Sequence, residues 1–244
     1  MSDLTVRLTR VRDAVARAAS RAGRPPSSVT LVAVSKTFPV DAVRALSALG
    51  QVDFGENKVQ EGLAKQDAAR APSGPAGSSD ELERRLRWHL IGHLQSNKAK
   101  KAVAFDVIHS IDSADLLTRV DEAARMAQRS VDVLIQVDLA GESTKFGALP
   151  TALPALLDAA GRCHSARLRG LMTLPPATDD PEDARRYFAA LRELRDSHLG
   201  RVNDPGMLGQ LSMGMSHDFE VAIEEGATMV RVGSAIFGER LYTK

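Results

Sequence analysis

The chain has 244 residues, of which 43% are hydrophobic and 26% charged, and its net charge is +1. A charge this close to neutral gives no electrostatic footprint for nucleic acid or for an acidic membrane surface. The single cysteine, Cys163, excludes an intramolecular disulfide and a thiolate metal cluster.

An amphipathic helix opens the chain, because apolar residues recur there at helical spacing: Leu4, Leu8, Val11, Val15 and Ala18. Gly23 and the Pro25-Pro26 pair end it. Its polar face carries arginines, and the sequence has neither the apolar centre of a signal peptide nor an 18-residue apolar run. We therefore expect a cytoplasmic protein with no membrane segment.

Short apolar runs then alternate with helical segments. The runs are rich in Val, Ile and Leu, as in strands buried on both faces, and lie at Val29–Val34, Val52–Phe54, Trp88–Ile91, Val107–His109, Val131–Val137, Leu168–Met172, Leu211–Met213 and Met229–Val232. Helical segments follow seven of them at 39–49, 56–69, 95–104, 113–129, 150–160, 181–199 and 217–225, with Ser113 and Ser216 as candidate N-caps.

This alternation predicts an α/β fold, a (β/α)8 TIM barrel preceded by an extra N-terminal helix, rather than a doubly wound sheet. We expect one domain over residues 1–244. The Pro-, Gly- and Ser-rich stretch 71–79 has little apolar surface to bury and is predicted to be a flexible surface loop.

Lys36 ends the first strand. Alternation places Val32, Val34 and Lys36 on one face, so that Lys36 projects into the barrel mouth, where barrel chemistry is found. Desolvation there favours the neutral amine that forms a Schiff base. From its position alone, Lys36 is as compatible with a side chain that simply reaches solvent as with one that forms a Schiff base.

The turns after the last two strands are suited to phosphate. Barrels commonly bind phosphate with these loops, and Ser216 follows the seventh strand while Gly233 and Ser234 follow the eighth. Glycine lets the backbone approach an anion, and serine adds a hydroxyl donor. Both segments are equally compatible with ordinary turns between strand and helix.

Arg231 lies inside the eighth apolar run, two residues before Gly233. A guanidinium inside a barrel is costly unless it meets an acceptor, which a phosphate, a carboxylate or an aromatic nitrogen can supply. His89 and His93 have the spacing of neither a strand pair nor a helical metal motif, so no metal site is expected. Dinucleotide, nucleoside triphosphate and serine-hydrolase motifs are absent from the sequence.

Seven blocks of the sequence resemble the YggS/PROSC family of pyridoxal phosphate (PLP) homeostasis proteins. They begin at Leu31, Phe54, Trp88, His109, Gly170, Leu211 and Val230, run in family order, and span most of the chain. The resemblance implies the barrel of the alanine racemase N-terminal domain, with PLP held as an internal aldimine on the lysine of the first strand.

Carried over onto this sequence, the resemblance makes Lys36 the Schiff-base lysine and directs Arg231 at the pyridine nitrogen. Ser216, Gly233 and Ser234 then bind the phosphate, and the remaining pocket residues are Asn57, His89, Met172, Ser212 and Met213. Lys145 matches a second family lysine near the barrel mouth, although Phe146 replaces the small residue that usually follows it.

The resemblance leaves two hypotheses, a carrier and an enzyme, beside a third class: a nucleic-acid or protein-interaction module with a relict site, of which the low charge argues against the nucleic-acid form. A PLP-dependent amino-acid racemase needs a second acid or base, usually a tyrosine, and a further β-rich domain, whereas this sequence has only Tyr187 and Tyr242. An arginine against the ring nitrogen also weakens the cofactor as an electron sink. We therefore expect a non-enzymatic, monomeric carrier that holds PLP and releases or delivers it, with apo PLP-dependent enzymes as partners.

Overall fold

The computed structural model describes residues 3–71, 86–141 and 146–238. Eight strands alternate with helices along the chain. The strands are β1 (Thr30–Val34), β2 (Asp53–Glu56), β3 (Arg87–Leu90), β4 (Val107–Ile111), β5 (Val131–Gln136), β6 (Ala166–Met172), β7 (Gln210–Ser212) and β8 (Met229–Val232).

The α-helices begin with one that precedes the first strand. They are α1 (Asp3–Arg21), α2 (Val40–Ser47), α3 (Val59–Arg70), α4 (Ala99–Ala102), α5 (Ala114–Met126), α6 (Leu153–Ala160), α7 (Arg185–His198), α8 (Phe219–Glu224) and α9 (Ser234–Phe237). No helix in the described ranges is long and apolar enough to cross a membrane.

The strands form a closed parallel barrel in sequence order, and β1 closes it by pairing with both β2 and β8. The predicted (β/α)8 barrel and the extra N-terminal helix are thereby confirmed. Each strand is followed by a helix on the outside, so the carboxyl ends of all eight strands meet at one face of the barrel.

Two apolar regions stabilise this arrangement. The larger lies between the barrel wall and the helices and includes Leu46, Phe54 and Ile108, all with no exposed surface. A separate small cluster consists of Leu134, Met172 and Met229, with Leu174 packed against it. Polar side chains, Ser212 and His109 among them, share the inside of the barrel with this second cluster.

Helix α1 is the added element and packs against α8, α9 and α2. Its buried face carries Leu8, Val11, Val15 and Ala18, as the helical spacing predicts. Arg21, in its last turn, lies 2.9 Å from a carboxylate oxygen of Glu220 and from one of Glu224, both on α8. The helix is therefore fixed to α8 by a polar edge as well as by its apolar face.

Local signals set several of the boundaries. Ser113 caps α5, and its hydroxyl accepts a hydrogen bond from the Leu116 N–H. The helix predicted over 95–104 is shorter, because a 3-10 turn at Ser96–Lys98 precedes α4. Apart from Ala71, the predicted loop 71–79 lies outside the described residues.

Candidate functional site

A cavity of about 510 Å³ opens at the carboxyl ends of the strands. Its lining includes six of the ten residues that the sequence assigned to the site: Lys36, Asn57, Ser216, Arg231, Gly233 and Ser234. Val34, Ile91 and Leu174 supply apolar walls. The volume is in the range of small-molecule sites, and the wall combines apolar surface with a few polar groups, as such sites usually do.

Lys36 is half-buried and follows the last residue of β1. Val34 and Lys36 both line the cavity, as the alternation along the strand predicts. The next residue, Thr37, has a φ of 69°, which is uncommon for a residue with a side chain. Its N–H donates to Oε1 of Glu61 at 2.5 Å, and this bond holds the backbone in its turn directly after Lys36.

A buried polar group supports the same strand end. Glu56 Oε1 accepts hydrogen bonds from the Ser35 hydroxyl and from Lys65 Nζ, both at 2.6 Å. Lys65 also donates to the Ser35 carbonyl at 2.7 Å. Burial raises the pKa of Glu56, while the bonds from Lys65 and Ser35 oppose that shift. The group ties β1, β2 and α3 together next to Lys36.

The turns after β7 and β8 meet at one wall of the cavity. The Ser216 hydroxyl oxygen accepts from the backbone N–H groups of Gly233, at 3.0 Å, and Ala235, at 3.4 Å. Ser216 is not the N-cap of α8: that position is Asp218, whose Oδ1 accepts from the Met215 N–H instead. The Ser216 hydroxyl and the turn that opens α9 thus form one polar surface.

Arg231 lies on β8 with its side chain buried and at the cavity wall. Its Nη1 donates to the Ser212 hydroxyl at 2.5 Å, and its Nη2 donates to the Thr173 carbonyl at 2.9 Å. Burial lowers the pKa of Arg231 to about 10, and Asp218 opposes this shift. The guanidinium is therefore cationic at neutral pH, with its orientation fixed by two acceptors.

Four sequence-assigned site residues lie outside the cavity lining. His89 and Ser212 have no exposed surface and belong to hydrogen bonds inside the barrel. Met172 belongs to the small interior cluster. Met213 packs in the outer core, because it follows Ser212 along the chain and alternation turns it the other way.

His93 and His89 have different partners, since His89 contacts His109 and Asp53. The His93 ring stacks on Phe146 with ring centroids 3.5 Å apart and 9° between the planes. Phe146 is the residue that replaces a small one in the family pattern, and its ring packs on His93. Lys145 lies outside the described residues. Within the described ranges, no group of three potential metal ligands is found.

Sequence reasoning did not assign His109, Asp53, Glu56 or Lys65 to the site. His109 Nδ1 lies 2.9 Å from the Ser212 hydroxyl oxygen, and its Nε2 lies 2.9 Å from Nδ1 of His89. Asp53 Oδ1 lies 2.9 Å from Nε2 of His89. The available signal was a histidine within a strand predicted to be buried on both faces, which requires a polar partner.

Comparisons with known proteins agree with this geometry. Residues 6–241 match the family described as alanine racemase, N-terminal domain. The pyridoxal phosphate homeostasis protein of Aquifex aeolicus is 43% identical over 237 residues, which cover 97% of this chain and 98% of that protein. The protein of the same name from Escherichia coli K12 is 39% identical over 245 residues, covering both chains fully.

Solved structures give the same result. PipY of Synechococcus elongatus without PLP is 40% identical, with a TM-score of 0.79 over 92% of this chain and 99% of PipY. The structure of PipY with PLP bound is 39% identical in sequence, with a TM-score of 0.77 over 92% of this chain and 100% of PipY. An alanine racemase of Clostridium difficile shares the fold at 14% identity, with a TM-score of 0.62 over 88% of this chain and 56% of the racemase.

Proposed function

Because this chain belongs to the family of pyridoxal phosphate homeostasis proteins, we propose that it binds PLP reversibly on Lys36 and releases or delivers it inside the cell. The observation that carries the proposal is a single cavity that has a lysine on one wall and two serine-containing turns on another. PipY, its relative of about 40% identity, has been solved with PLP bound.

The donors at the cavity fit the chemistry of PLP. A phosphate needs N–H and O–H donors, and Ser216 and Ser234 both line the cavity. The Ser216 oxygen accepts from the Gly233 N–H, so its own O–H can donate to a phosphate. Gly233 lines the cavity beside Val34 and has no side chain between its backbone and a bound anion. Lys36 supplies the amine that reacts with an aldehyde.

Arg231 defines what a bound cofactor can do. Bound PLP supplies a reactive aldehyde and a ring that withdraws electrons most strongly when its nitrogen is protonated. A guanidinium has N–H donors and no acceptor, so Arg231 facing that nitrogen opposes its protonation. The pocket then favours retention of the cofactor over its use in catalysis.

An amino-acid racemase is the second candidate. The observation in its favour is His217, a titratable residue that lines the cavity besides Lys36 and Arg231. Its Nε2, however, lies 3.1 Å from the Asp179 carbonyl oxygen. Tyr187 is on α7, where Arg186 lies 4.9 Å from its ring centre, and it does not line the cavity. We therefore propose no significant turnover; sustained racemisation of alanine by a homogeneous preparation would refute this.

The proposed role implies a compartment and partners. Delivery to apo PLP-dependent enzymes requires the chain to share their compartment, which we propose is the cytoplasm. We also propose that residues 1–244 form one domain that acts as a monomer, without nucleic acid or membrane. Light scattering during size-exclusion chromatography tests the monomer directly, and a mass of about twice 26.2 kDa contradicts it.

Absorbance titration tests the binding proposal. The purified chain should develop a visible absorbance band with added PLP, and Lys36→Ala should lack it. Lys58→Ala is the matched control, because Lys58 is exposed and outside the cavity lining. The proposal fails if the unmodified chain gives no band, or if Lys36→Ala keeps it.

Delivery needs a separate experiment. The PLP-loaded chain is mixed with an apo PLP-dependent enzyme, and the rate of its activation is compared with the rate at which free PLP leaves the chain. Activation faster than release supports direct delivery. Activation limited by release shows that the chain only stores the cofactor.

A further inference from the structure

Buried hydrogen bonds connect Arg231 to the opposite end of the barrel. This series of hydrogen-bonded side chains, the interior chain, begins at Arg231 and ends at Asp53, with Ser212, His109 and His89 between them. Its successive distances are 2.5, 2.9, 2.9 and 2.9 Å. His109 on β4 and Ser212 on β7 meet although these strands are not neighbours in the barrel, so their bond crosses its interior.

With both imidazoles neutral, these bonds have one direction. The Asp53 carboxylate accepts a hydrogen bond from the N–H at His89 Nε2. A neutral His89 then accepts at Nδ1 from His109 Nε2, and a neutral His109 accepts at Nδ1 from the Ser212 hydroxyl. Ser212 keeps a lone pair for Arg231 Nη1. Every donor therefore points from Arg231 towards Asp53.

Burial favours the neutral form of His109. His109 and Ser212 have no exposed surface, and a charge on the His109 ring would add to that of the buried guanidinium. Burial, with the positive charge of Arg231, places the pKa of His109 well below 6.5. The interior chain has its guanidinium, Arg231, at one end and its carboxylate, Asp53, at the other.

We propose that the interior chain positions Arg231, holding its guanidinium as a donor towards the ring nitrogen of PLP. The proposal deepens the function proposed above and rests on it. Ser212 fixes Nη1, and the Thr173 carbonyl fixes Nη2, so the remaining N–H groups have a set direction. His109, His89 and Asp53 act through Ser212 by orienting its proton away from Arg231. These four are positioning residues, and none of them lines the cavity.

The direction of the bonds is tested first, without cofactor. Nitrogen-15 NMR of the imidazoles in the full chain should show His89 and His109 neutral and protonated at Nε2. Ser212→Ala should shift the His109 Nδ1 signal, because that nitrogen loses its donor. A cationic His89 or His109 at neutral pH, or protonation of either ring at Nδ1 alone, overturns the proposal.

The effect on the cofactor is tested by absorbance titration with PLP. Ser212→Ala should move the visible maximum in the same direction as Arg231→Gln and weaken affinity about tenfold. Ser212→Cys, which keeps a weaker donor, should give an intermediate shift. Ser110→Ala is the matched control, because Ser110 is equally buried and its hydroxyl has no hydrogen-bond partner among the described residues.

A double substitution separates positioning from general damage. If Ser212 acts through Arg231, Ser212→Ala adds no further shift of the maximum in the Arg231→Gln background. The proposal is overturned if the shift persists there, or if Ser212→Ala behaves like Ser110→Ala. Failure of the unmodified chain to bind PLP is a different result, which defeats the proposed function as well.

Discussion

Ser216 and Ser234 make different contributions to the polar wall of the cavity. The Ser216 hydroxyl accepts from two backbone N–H groups and so connects the turns after β7 and β8, whereas Ser234→Ala removes one hydroxyl and leaves those two bonds in place. We expect Ser216→Ala to weaken PLP binding about tenfold and Ser234→Ala only about twofold to threefold. Equilibrium dialysis against PLP measures both, and a larger loss for Ser234→Ala contradicts the assigned roles.

The Glu56–Lys65 ion pair is the buried contact whose loss has the clearest cost. Lys65→Met leaves Glu56 with no cationic partner at 2.6 Å, and breaking a buried pair costs about 3–5 kcal/mol. Urea unfolding should show a loss of this order, whereas Lys58→Met, at an exposed position, should stay within about 0.5 kcal/mol.

Restoring neutrality should recover much of that stability. Glu56→Gln combined with Lys65→Met removes both charges, so the double substitution should cost less than Lys65→Met alone. Equal or greater destabilisation would show that Lys65 acts through packing instead of through its charge.

Single residues differed in how far the sequence could place them. Lys36 was predictable because alternation along one strand fixes its direction. Met213 was not, since its assignment followed a resemblance and ignored that its neighbour Ser212 already faces the interior. His109 could not be connected to Ser212 because their contact crosses the barrel and depends on the register of several strands.

Close approach between the turns after β2 and β3 requires a glycine. A Cβ at Gly92 would lie 2.2 Å from the Asn57 carbonyl oxygen, which forces these turns apart. Gly92→Ala should therefore destabilise the chain by about 1–3 kcal/mol and weaken PLP binding, because Asn57 lines the cavity. Thermal unfolding and PLP titration measure the two effects.

Gly200→Ala is the control for this substitution. Gly200 is exposed and a Cβ there meets nothing within 4 Å, so Gly200→Ala should change the free energy of unfolding by no more than about 0.5 kcal/mol. Similar losses at both positions would mean that the approach of Gly92 to Asn57 is not what matters.

The elements themselves were predicted to within a few residues. Apolar runs located all eight strands, and the Ser113 cap located the start of α5. The start of α8 was wrong, because Ser216 and Asp218 are both plausible caps in sequence and only the fold shows Ser216 contacting the turn after β8. The register shifts in β4–β5 and β5–β6 pairing had no sequence signal.

At the scale of the whole molecule, buried His109 couples folding to pH. Its pKa is well below 6.5 in the folded chain and returns to about 6.5 on unfolding. The unfolded chain therefore binds an extra proton below pH 6.5, and the stability contributed by neutral His109 is present above that pH and lost as pH falls. The slope approaches about 1.4 kcal/mol per pH unit.

Comparison with His109→Gln isolates this contribution. The unfolding free energies of the two proteins should converge as pH falls from about 7.5 to 5.5, because only the unmodified chain carries the His109 slope. Parallel pH profiles would contradict a neutral, buried His109.

The most direct measurement of the central claim is chemical trapping on Lys36. The chain is incubated with PLP and reduced with borohydride, which converts a C=N bond to a stable C–N bond, and its peptides are then mapped by mass. We expect a pyridoxyl phosphate group on Lys36 at close to one per chain, and none in Lys36→Ala. No stable adduct, or one mainly on another lysine, would contradict the assignment of Lys36 as the residue that holds PLP.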